Sequence, residues 1–315
     1  LHDALPILEK KYPFGSKRVN NFTFTGIDIQ QSSDGTIHLS QSKYVRTIDP
    51  IKISTDRRKQ PDEKVTEDER QQLRALIGSL QYASVHTRPD LSSRLSNLQS
   101  SINNATVENL ITANQALHEA KKHHDVTIKI QSIHTDDLRF LAFSDASFAS
   151  KSNPNSHTGT LIMATHKDIG RNVTCPVNAI SWGCKKIQRV VTSTLAAETT
   201  SLNSVLDHLS WIRLCWAWIL NPNTKWKSPH QTLKQLPETY TTATLNARQL
   251  PETFAATDCK SLFDLVSRTA MPNCAEFRTQ LTARAIKDLL NENVSLRWVH
   301  SGAQLADALT KVMEN

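Results

Sequence analysis

No apolar run in this chain approaches the roughly 18–20 residues that a membrane-spanning helix needs. The nearest, Trp211-Ile-Arg-Leu-Cys-Trp-Ala-Trp-Ile-Leu220, is too short and carries Arg213, so it reads as a buried helix. Cysteine is sparse and unpatterned. The five sit at 175, 184, 215, 259 and 274, and no pair is spaced as Cys-x-x-Cys. That argues against a structural zinc site, and an odd count without a framework points to a reducing compartment. No secretory signal is recognisable at the amino terminus.

What is present fits a globular, nucleic-acid-facing protein. At 315 residues, two domains are the default expectation. The net charge of +7 suits a phosphate-bearing partner, although many proteins this basic bind none.

Four acidic residues stand in settings that fit one chemistry. Asp145 closes the apolar run Phe140-Leu-Ala-Phe-Ser-Asp145, and Asp258 ends Phe254-Ala-Ala-Thr-Asp258. Glu198 opens a long amphipathic stretch, and Asp307 sits in Gln304-Leu-Ala-Asp307-Ala-Leu-Thr-Lys311. Carboxylates at the ends of core strands and helices are what a two-metal phosphodiesterase site needs, with two Mg²⁺ ions about 3.5–4 Å apart. Mg²⁺ takes oxygen ligands, so carboxylates rather than His or Cys should hold it.

Glu198 carries the sharpest argument. At helical spacing Glu198, Leu202, Val205, Leu206, Leu209, Ile212 and Trp216 share one stripe, the face such a helix buries. A carboxylate there is costly unless it is paired or holds a metal. The bland alternative is that Glu198, in the first turn, complements the helix dipole and escapes to solvent.

The coarse organisation follows from turns and periodicity. Residues 22–49 predict a hairpin turning at Ser33-Asp-Gly35, and 50–68 a charged surface linker. Helices are expected over 67–85 and 90–124, with Pro89 breaking between them and Lys121-Lys-His-His124 complementing the second helix's dipole. Strands are expected at 138–145, 158–165, 178–187, 252–257 and 294–300. Helices are expected at 195–220 and 260–268, then along the stripe Phe277, Leu281, Ala285 and Leu289. Ser301-Gly-Ala-Gln304 has the capping-box pattern for a last helix. Strands followed by helices imply a mixed sheet with helices packed on it. Residues 221–251 hold a short repeat, Gln235-Leu-Pro-Glu-Thr239 and Gln249-Leu-Pro-Glu-Thr253, read as an insertion loop or, alternatively, a substrate-facing arm.

Seven short blocks stand in order: Phe143-Ser-Asp145-Ala-Ser-Phe148; Thr158-Gly159-Thr-Leu-Ile162; Ile180-Ser-Trp182 with Lys185-Lys186; Ser193-Thr-Leu-Ala-Ala-Glu198; Thr257-Asp258-Cys-Lys-Ser-Leu262; Leu296-Arg-Trp-Val-His300; and Gln304 through Lys311. Together they resemble the ribonuclease H domain of Ty1/copia-type retrotransposon polyproteins. Upstream, Phe24-Thr-Gly26-Ile-Asp-Ile29 with Ile37-His-Leu-Ser-Gln41-Ser-Lys-Tyr44 resembles the C-terminal end of the copia-type reverse transcriptase. So does Leu76-Ile-Gly78-Ser-Leu80-Gln-Tyr82 with Thr87-Arg88-Pro89-Asp90.

The resemblance implies an α/β fold: a ribonuclease H-like mixed five-stranded sheet with flanking helices over 133–315. A small α+β thumb/connection-like segment over 18–132 would precede it. It implies that Asp145, Glu198, Asp258 and Asp307 hold two Mg²⁺ ions, with Mn²⁺ as a substitute, and that an RNA·DNA hybrid is the substrate. His300 falls where related enzymes place a histidine that aids product or metal release, or it is simply a polar strand end. Lys185, Lys186, Gln188, Arg189, Ser193 and Thr194 are the candidate phosphate contacts, against an ordinary solvated strand end. The upstream polymerase region is an implied partner, and no membrane is. Location would be cytoplasmic in a virus-like particle, or nuclear, and not secreted.

Departures matter too. The family's Glu-Ala-Glu-Tyr stretch is Ala196-Ala-Glu198-Thr199 here, leaving one glutamate. The polymerase Tyr-x-Asp-Asp signature is absent, because Asp136-Asp137 lies in a polar loop, so polymerisation is not expected. Residues 1–17 match nothing in the family and are set aside as a cloning or assembly scar. Two other classes compete: a relic that binds hybrid without cutting, and an integrase, which the glutamate's second place in the order disfavours.

Overall fold

The computed structural model describes residues 18–149, 155–220, 251–290 and 294–311. Residues 1–17 and all of the expected 221–251 insertion except Pro251 lie outside the described residues. The described residues form two sheets; one large apolar core is built by the helices between β3 and β4, and another lies between the second sheet and its helices.

The first sheet is antiparallel throughout: β1 (Asn21–Phe24), β2 (Ile27–Gln31), β3 (Ile37–Ser40) and, returning later, β4 (Ile128–Ile130). The predicted turn at Ser33-Asp-Gly35 joins β2 to β3. A second, unexpected hairpin joins β1 to β2 through Thr25 and Gly26, both at positive φ (48° and 80°). Two left-handed central residues are what a tight type I′ turn requires.

Helices α1 (Ser42–Thr47), α2 (Thr55–Arg58), α3 (Glu67–His86), α4 (Ser92–Ser101) and α5 (Val107–Lys122) follow. The 50–68 stretch is not a plain surface linker. Ile51 and Val65 are buried in the core, α2 interrupts the stretch, and Asn114 both accepts from the Ile51 N–H (2.9 Å) and donates to its carbonyl (2.8 Å). Its charge is consumed locally, since Arg57 reaches Glu63 (2.5 Å) and Glu69 (3.0 Å). Nor is 90–124 one helix. The chain breaks after Ser101 and restarts where the Thr106 N–H donates to Asn109 Oδ1 (2.8 Å).

The second sheet contains β5 (Leu138–Ser147), β6 (His157–His166), β7 (Val177–Lys186), β8 (Thr253–Thr257) and β9 (Val294–Trp298), in the order β7-β6-β5-β8-β9. The first three form an antiparallel meander, while β8 lies parallel to β5 and β9 parallel to β8. Helix α6 (Thr194–Leu220) lies between β7 and β8 in sequence; α7 (Lys260–Ser267) and α8 (Phe277–Leu290) connect β8 to β9. The predicted stripe holds: Leu202, Val205, Leu206 and Leu209 are buried against Phe140, Ala142, Ile162 and Ala255, and Trp216 stacks edge-on to Phe140.

The last helix departs from expectation. Ser301–Ala303 is a 3₁₀ turn, and the helix that follows, α9 (Asp307–Thr310), has no side-chain cap. Gln304 does not complete a capping box because its amide turns inward, donating to the Ser144 carbonyl (2.9 Å).

The two parts are joined by specific polar contacts. Trp182 Nε1 donates to the Ser84 carbonyl (2.7 Å), and Asn178 exchanges two 2.8 Å bonds with the Gln131 backbone. Leu206→Ala, at the centre of the α6 contact, should cost about 2–5 kcal/mol in urea unfolding. A loss under 1 kcal/mol would mean that α6 is not the helix the sheet depends on.

Candidate functional site

The strand register brings the acidic residues together. In the parallel pair, Phe143 stands opposite Ala256. Asp145 and Asp258 each lie two residues further on, so they emerge side by side at the carboxyl ends of β5 and β8, where ligands of α/β sheets gather. Glu198 arrives from the first turns of α6, whose start is fixed by Ser193 Oγ accepting from the Ala196 N–H (3.1 Å). One carboxylate oxygen from each of Asp145, Glu198 and Asp258 lies within 4.8 Å of the other two.

Such a group cannot stay fully ionised on its own. At 4.8 Å, two full charges repel by about 3.5 kcal/mol at an effective dielectric of about 20. Holding a proton on a glutamate at pH 7, about 2.5 units above its ordinary 4.5, costs about 3.4 kcal/mol, which burial and repulsion together exceed, so the site favours taking up a proton. Burial first, then Asp145 and Asp258, push Glu198 up to about 8, against the opposing Ala146 N–H. Its Oε2 is buried and has no hydrogen-bond partner. Glu198 therefore does not escape to solvent, as a plain first-turn glutamate would.

Burial also raises Asp145, helped by Asp307 and Asp258 and opposed by the Thr310 hydroxyl and by Lys311. Asp307 is half-buried and stands outside the closest triad. It accepts from Lys311 Nζ (2.5 Å), and that pairing holds the lysine above its usual range. Asp258 is bounded by Gln304 Nε2, 3.5 Å from its Oδ1, and by Trp298 Nε1 donating to its carbonyl (3.0 Å). An all-carboxylate oxygen set with an orphaned buried oxygen fits a hard divalent cation.

The other expected residues are placed less centrally. His300 is exposed at the end of β9, where its Nδ1 accepts from the Gly302 N–H (3.1 Å) and caps the 3₁₀ turn. Lys185 is exposed and Lys186 half-buried at the end of β7, and Gln188 and Thr194 are exposed. Arg189 is engaged with Thr200 Oγ1 (2.7 Å), and Ser193 serves as the helix cap. Sequence reasoning gave no role at the site to Thr310, Gly159, Ser201 or Gln304, although all but Ser201 lie inside the quoted blocks. Their roles depend on contacts across the fold.

The sheet order, with β5 antiparallel to one neighbour and parallel to the other, and the carboxylates at its end define a ribonuclease H-like α/β fold. No protein-family model matches the chain. A retrovirus-related Pol polyprotein from transposon RE1 of Arabidopsis thaliana is 27% identical over 228 residues, which cover 67% of this chain and 14% of that protein. The expected likeness to a transposon Pol polyprotein is borne out by this relative, of whose length the chain spans about 14%. RNase H1 from the halophilic archaeon Halobacterium salinarum is similar at TM-score 0.33 and 12% identity, over 54% of this chain and 93% of that one. The foamy viral protease-reverse transcriptase in complex with an RNA/DNA hybrid is similar at TM-score 0.47 and 13% identity, over 100% of this chain and 35% of that one. Among the described residues, no helix is long and apolar enough to cross a membrane.

The raised Glu198 has a consequence for stability. Between 4.5 and about 8 the folded protein keeps a proton that the unfolded chain has released. Stability from this group is thus full below 4.5 and is lost as pH rises through 8. Buried His157, held below its ordinary 6.5, gives the opposite slope at lower pH, so the window to examine is 6.5–8. Without added metal, the melting temperature should fall across that window, and Glu198→Gln should flatten the fall. An unchanged slope in Glu198→Gln would remove Glu198 as its source.

Proposed function

We propose that this chain hydrolyses the RNA strand of RNA·DNA hybrids at a divalent-metal site held by Asp145, Glu198, Asp258 and Asp307. The observation that carries the reading is the close carboxylate triad with its unpartnered, buried Glu198 oxygen. The sheet order and the similarity to a transposon Pol polyprotein support it. Two Mg²⁺ ions, with Mn²⁺ as substitute, would supply an activated water and charge stabilisation for the leaving 3′ oxygen, leaving 5′-phosphate and 3′-hydroxyl ends.

The chain's own residues have distinct tasks in this reading. Asp145 and Asp258 present fixed oxygens from adjacent strand ends. Glu198 carries the proton that a cation displaces on binding. Asp307 adds a fourth carboxylate and keeps Lys311 at the rim. Exposed Lys185, Gln188 and Thr194, with Lys186, face the hybrid's phosphates, and contacts to 2′-hydroxyls across the minor groove tell RNA from DNA. Arg189 and Ser193 act by holding the α6 entry, and His300 serves product release from its loop. In the same reading, residues 18–132 are the C-terminal part of a reverse transcriptase and 133–315 the nuclease, with an upstream polymerase region as partner. The site would work in a cytoplasmic virus-like particle or the nucleus.

The test is cleavage of a labelled RNA·DNA hybrid with Mg²⁺, beside Asp145→Asn and a double-stranded RNA substrate. RNA cut in the hybrid alone, with cutting abolished by the substitution and by a chelator, is the expected result. A folded wild-type protein that binds hybrid and cuts nothing would replace this reading with that of a binding relic.

A further inference from the structure

Asp145, at 5% exposure, is the one acidic residue buried among the described residues, and its environment shows how it is held. Its backbone carbonyl accepts from Ser201 Oγ of α6 (2.6 Å), and the same hydroxyl lies 3.3 Å from the Gly159 carbonyl. Its carboxylate Oδ2 accepts from Thr310 Oγ1, which stands on α9, 165 residues away in sequence. The Thr310 hydroxyl also lies 3.2 Å from the Asp307 carbonyl, so its single proton is shared between the carboxylate and the helix backbone.

The approach of α9 depends on a missing side chain. Gly159 on β6 stands directly opposite Asp145 in the antiparallel register. A Cβ built there would fall 2.5 Å from Thr310 Cγ2, 3.1 Å from the Ala306 carbonyl oxygen and 3.4 Å from Leu309 Cβ. Its φ is not in the left-handed region, since the positive-φ glycines are Gly26, Gly35 and Gly170. The glycine is therefore required here by space rather than by backbone conformation. The short helix α9, four residues with no side-chain cap, is seated by packing on β5, β6, β7 and α4, with Ala306, Leu309 and Thr310 buried.

We propose that Thr310 is the positioning residue for Asp145, aiming one carboxylate oxygen by its hydroxyl, and that Gly159 provides the gap through which α9 delivers it. The hydroxyl engages Oδ2 of a carboxylate that has one oxygen within 4.8 Å of an oxygen from each of Glu198 and Asp258. A hydrogen-bonded partner of a metal-binding carboxylate fixes its rotamer, and losing such a partner typically weakens metal binding or activity by about 10–100-fold. This inference rests on the proposed metal site, and its cleavage arm rests on the ribonuclease reading as well.

The experiment measures Mn²⁺ affinity by electron paramagnetic resonance, and hybrid cleavage, on the full chain and four variants. Thr310→Val keeps the shape and removes the hydroxyl; it should weaken Mn²⁺ binding by about 10–100-fold. Thr310→Ser keeps the hydroxyl and should bind as the wild type does. Gly159→Ala should weaken binding by driving Thr310 outwards. Adding Thr310→Ser to Gly159→Ala removes the nearest clashing atom, Cγ2, and should restore most of the lost affinity, the approach to the Ala306 carbonyl being the smaller obstacle. If Thr310→Val does not fold, the Gly159→Ala pair decides the matter. Wild-type affinity in Thr310→Val, equal losses in Thr310→Ser and Thr310→Val, or no rescue in the double variant would overturn the proposal. The expected Mn²⁺ pattern in a protein that cuts no hybrid would leave Thr310 in this role and remove the ribonuclease reading alone.

Discussion

The repulsion among Asp145, Glu198 and Asp258 sets the terms for everything around them. Three carboxylates within 4.8 Å of one another, with Asp145 and part of Glu198 buried, raise the energy of the folded chain at neutral pH. A proton on Glu198 relieves part of that repulsion, and Lys311 offsets another part from the rim. Neither satisfies Glu198 Oε2. The surrounding apolar structure has to hold the group in place regardless. It does so through one long helix, whose stripe from Leu202 to Leu209 is pressed onto Phe140, Ile162 and Ala255. The same helix supplies Glu198 at one end and the packing further along, so the packing energy of α6 is what keeps the unfavourable carboxylate from swinging away.

Topology then does what sequence distance cannot. Asp145 and Asp258 are far apart along the chain, yet parallel pairing of β5 and β8 places both at the same level, two residues beyond the Phe143–Ala256 pair. Antiparallel pairing of β5 with β6 puts Gly159 opposite Asp145 on the other side. The mixed order of the sheet is therefore a functional constraint. With β8 antiparallel, the chain end that carries Asp258 would leave from the opposite edge of the sheet.

This explains which features were legible in the sequence. Asp145 and Asp258 each close an apolar run, and Glu198 lies on an apolar stripe, so each announces a carboxylate at the margin of a core. The strands of the second sheet and α6 were read to within a few residues, whereas the β1–β2 hairpin and the three-residue β4 were not. The failures are local contests that pattern alone does not decide. In 50–68, isolated Ile51 and Val65 are outnumbered by charge, and each is held by a distant partner: the Ile51 backbone by Asn114, sixty-three residues beyond it, and the Val65 N–H by the Ala105 carbonyl. The break near Ile102 turns on the Thr106–Asn109 bond, which competes with a continuous helix. Ser301-Gly-Ala-Gln304 has capping-box residues, yet the Gln304 amide is taken up elsewhere, its Nε2 donating to the Ser144 carbonyl beside the site and its Oε1 accepting from the Ala306 N–H. Thr310 and Gly159 gave no signal because neither has a chemistry of its own that marks it. Their significance arises only where three elements meet.

The four carboxylates are held with unequal firmness, and the inequality bears on how the site would respond to a cation. Asp145 is gripped at both ends, by Ser201 on its carbonyl and Thr310 on its carboxylate. Glu198 has one backbone donor, Asp258 a long contact to Gln304, and Asp307 an exposed lysine. A cation entering this site meets one fixed ligand and three adjustable ones. Fixing Asp145 in advance removes its share of the ordering cost at binding, while the other carboxylates can adapt to the coordination that the cation demands. Because a folded chain presents this set and an unfolded one does not, occupancy of the site and stability of the fold rise together. The short helix α9, packed on β5, β6, β7 and α4, takes part in that coupling through the Thr310 hydroxyl on Asp145.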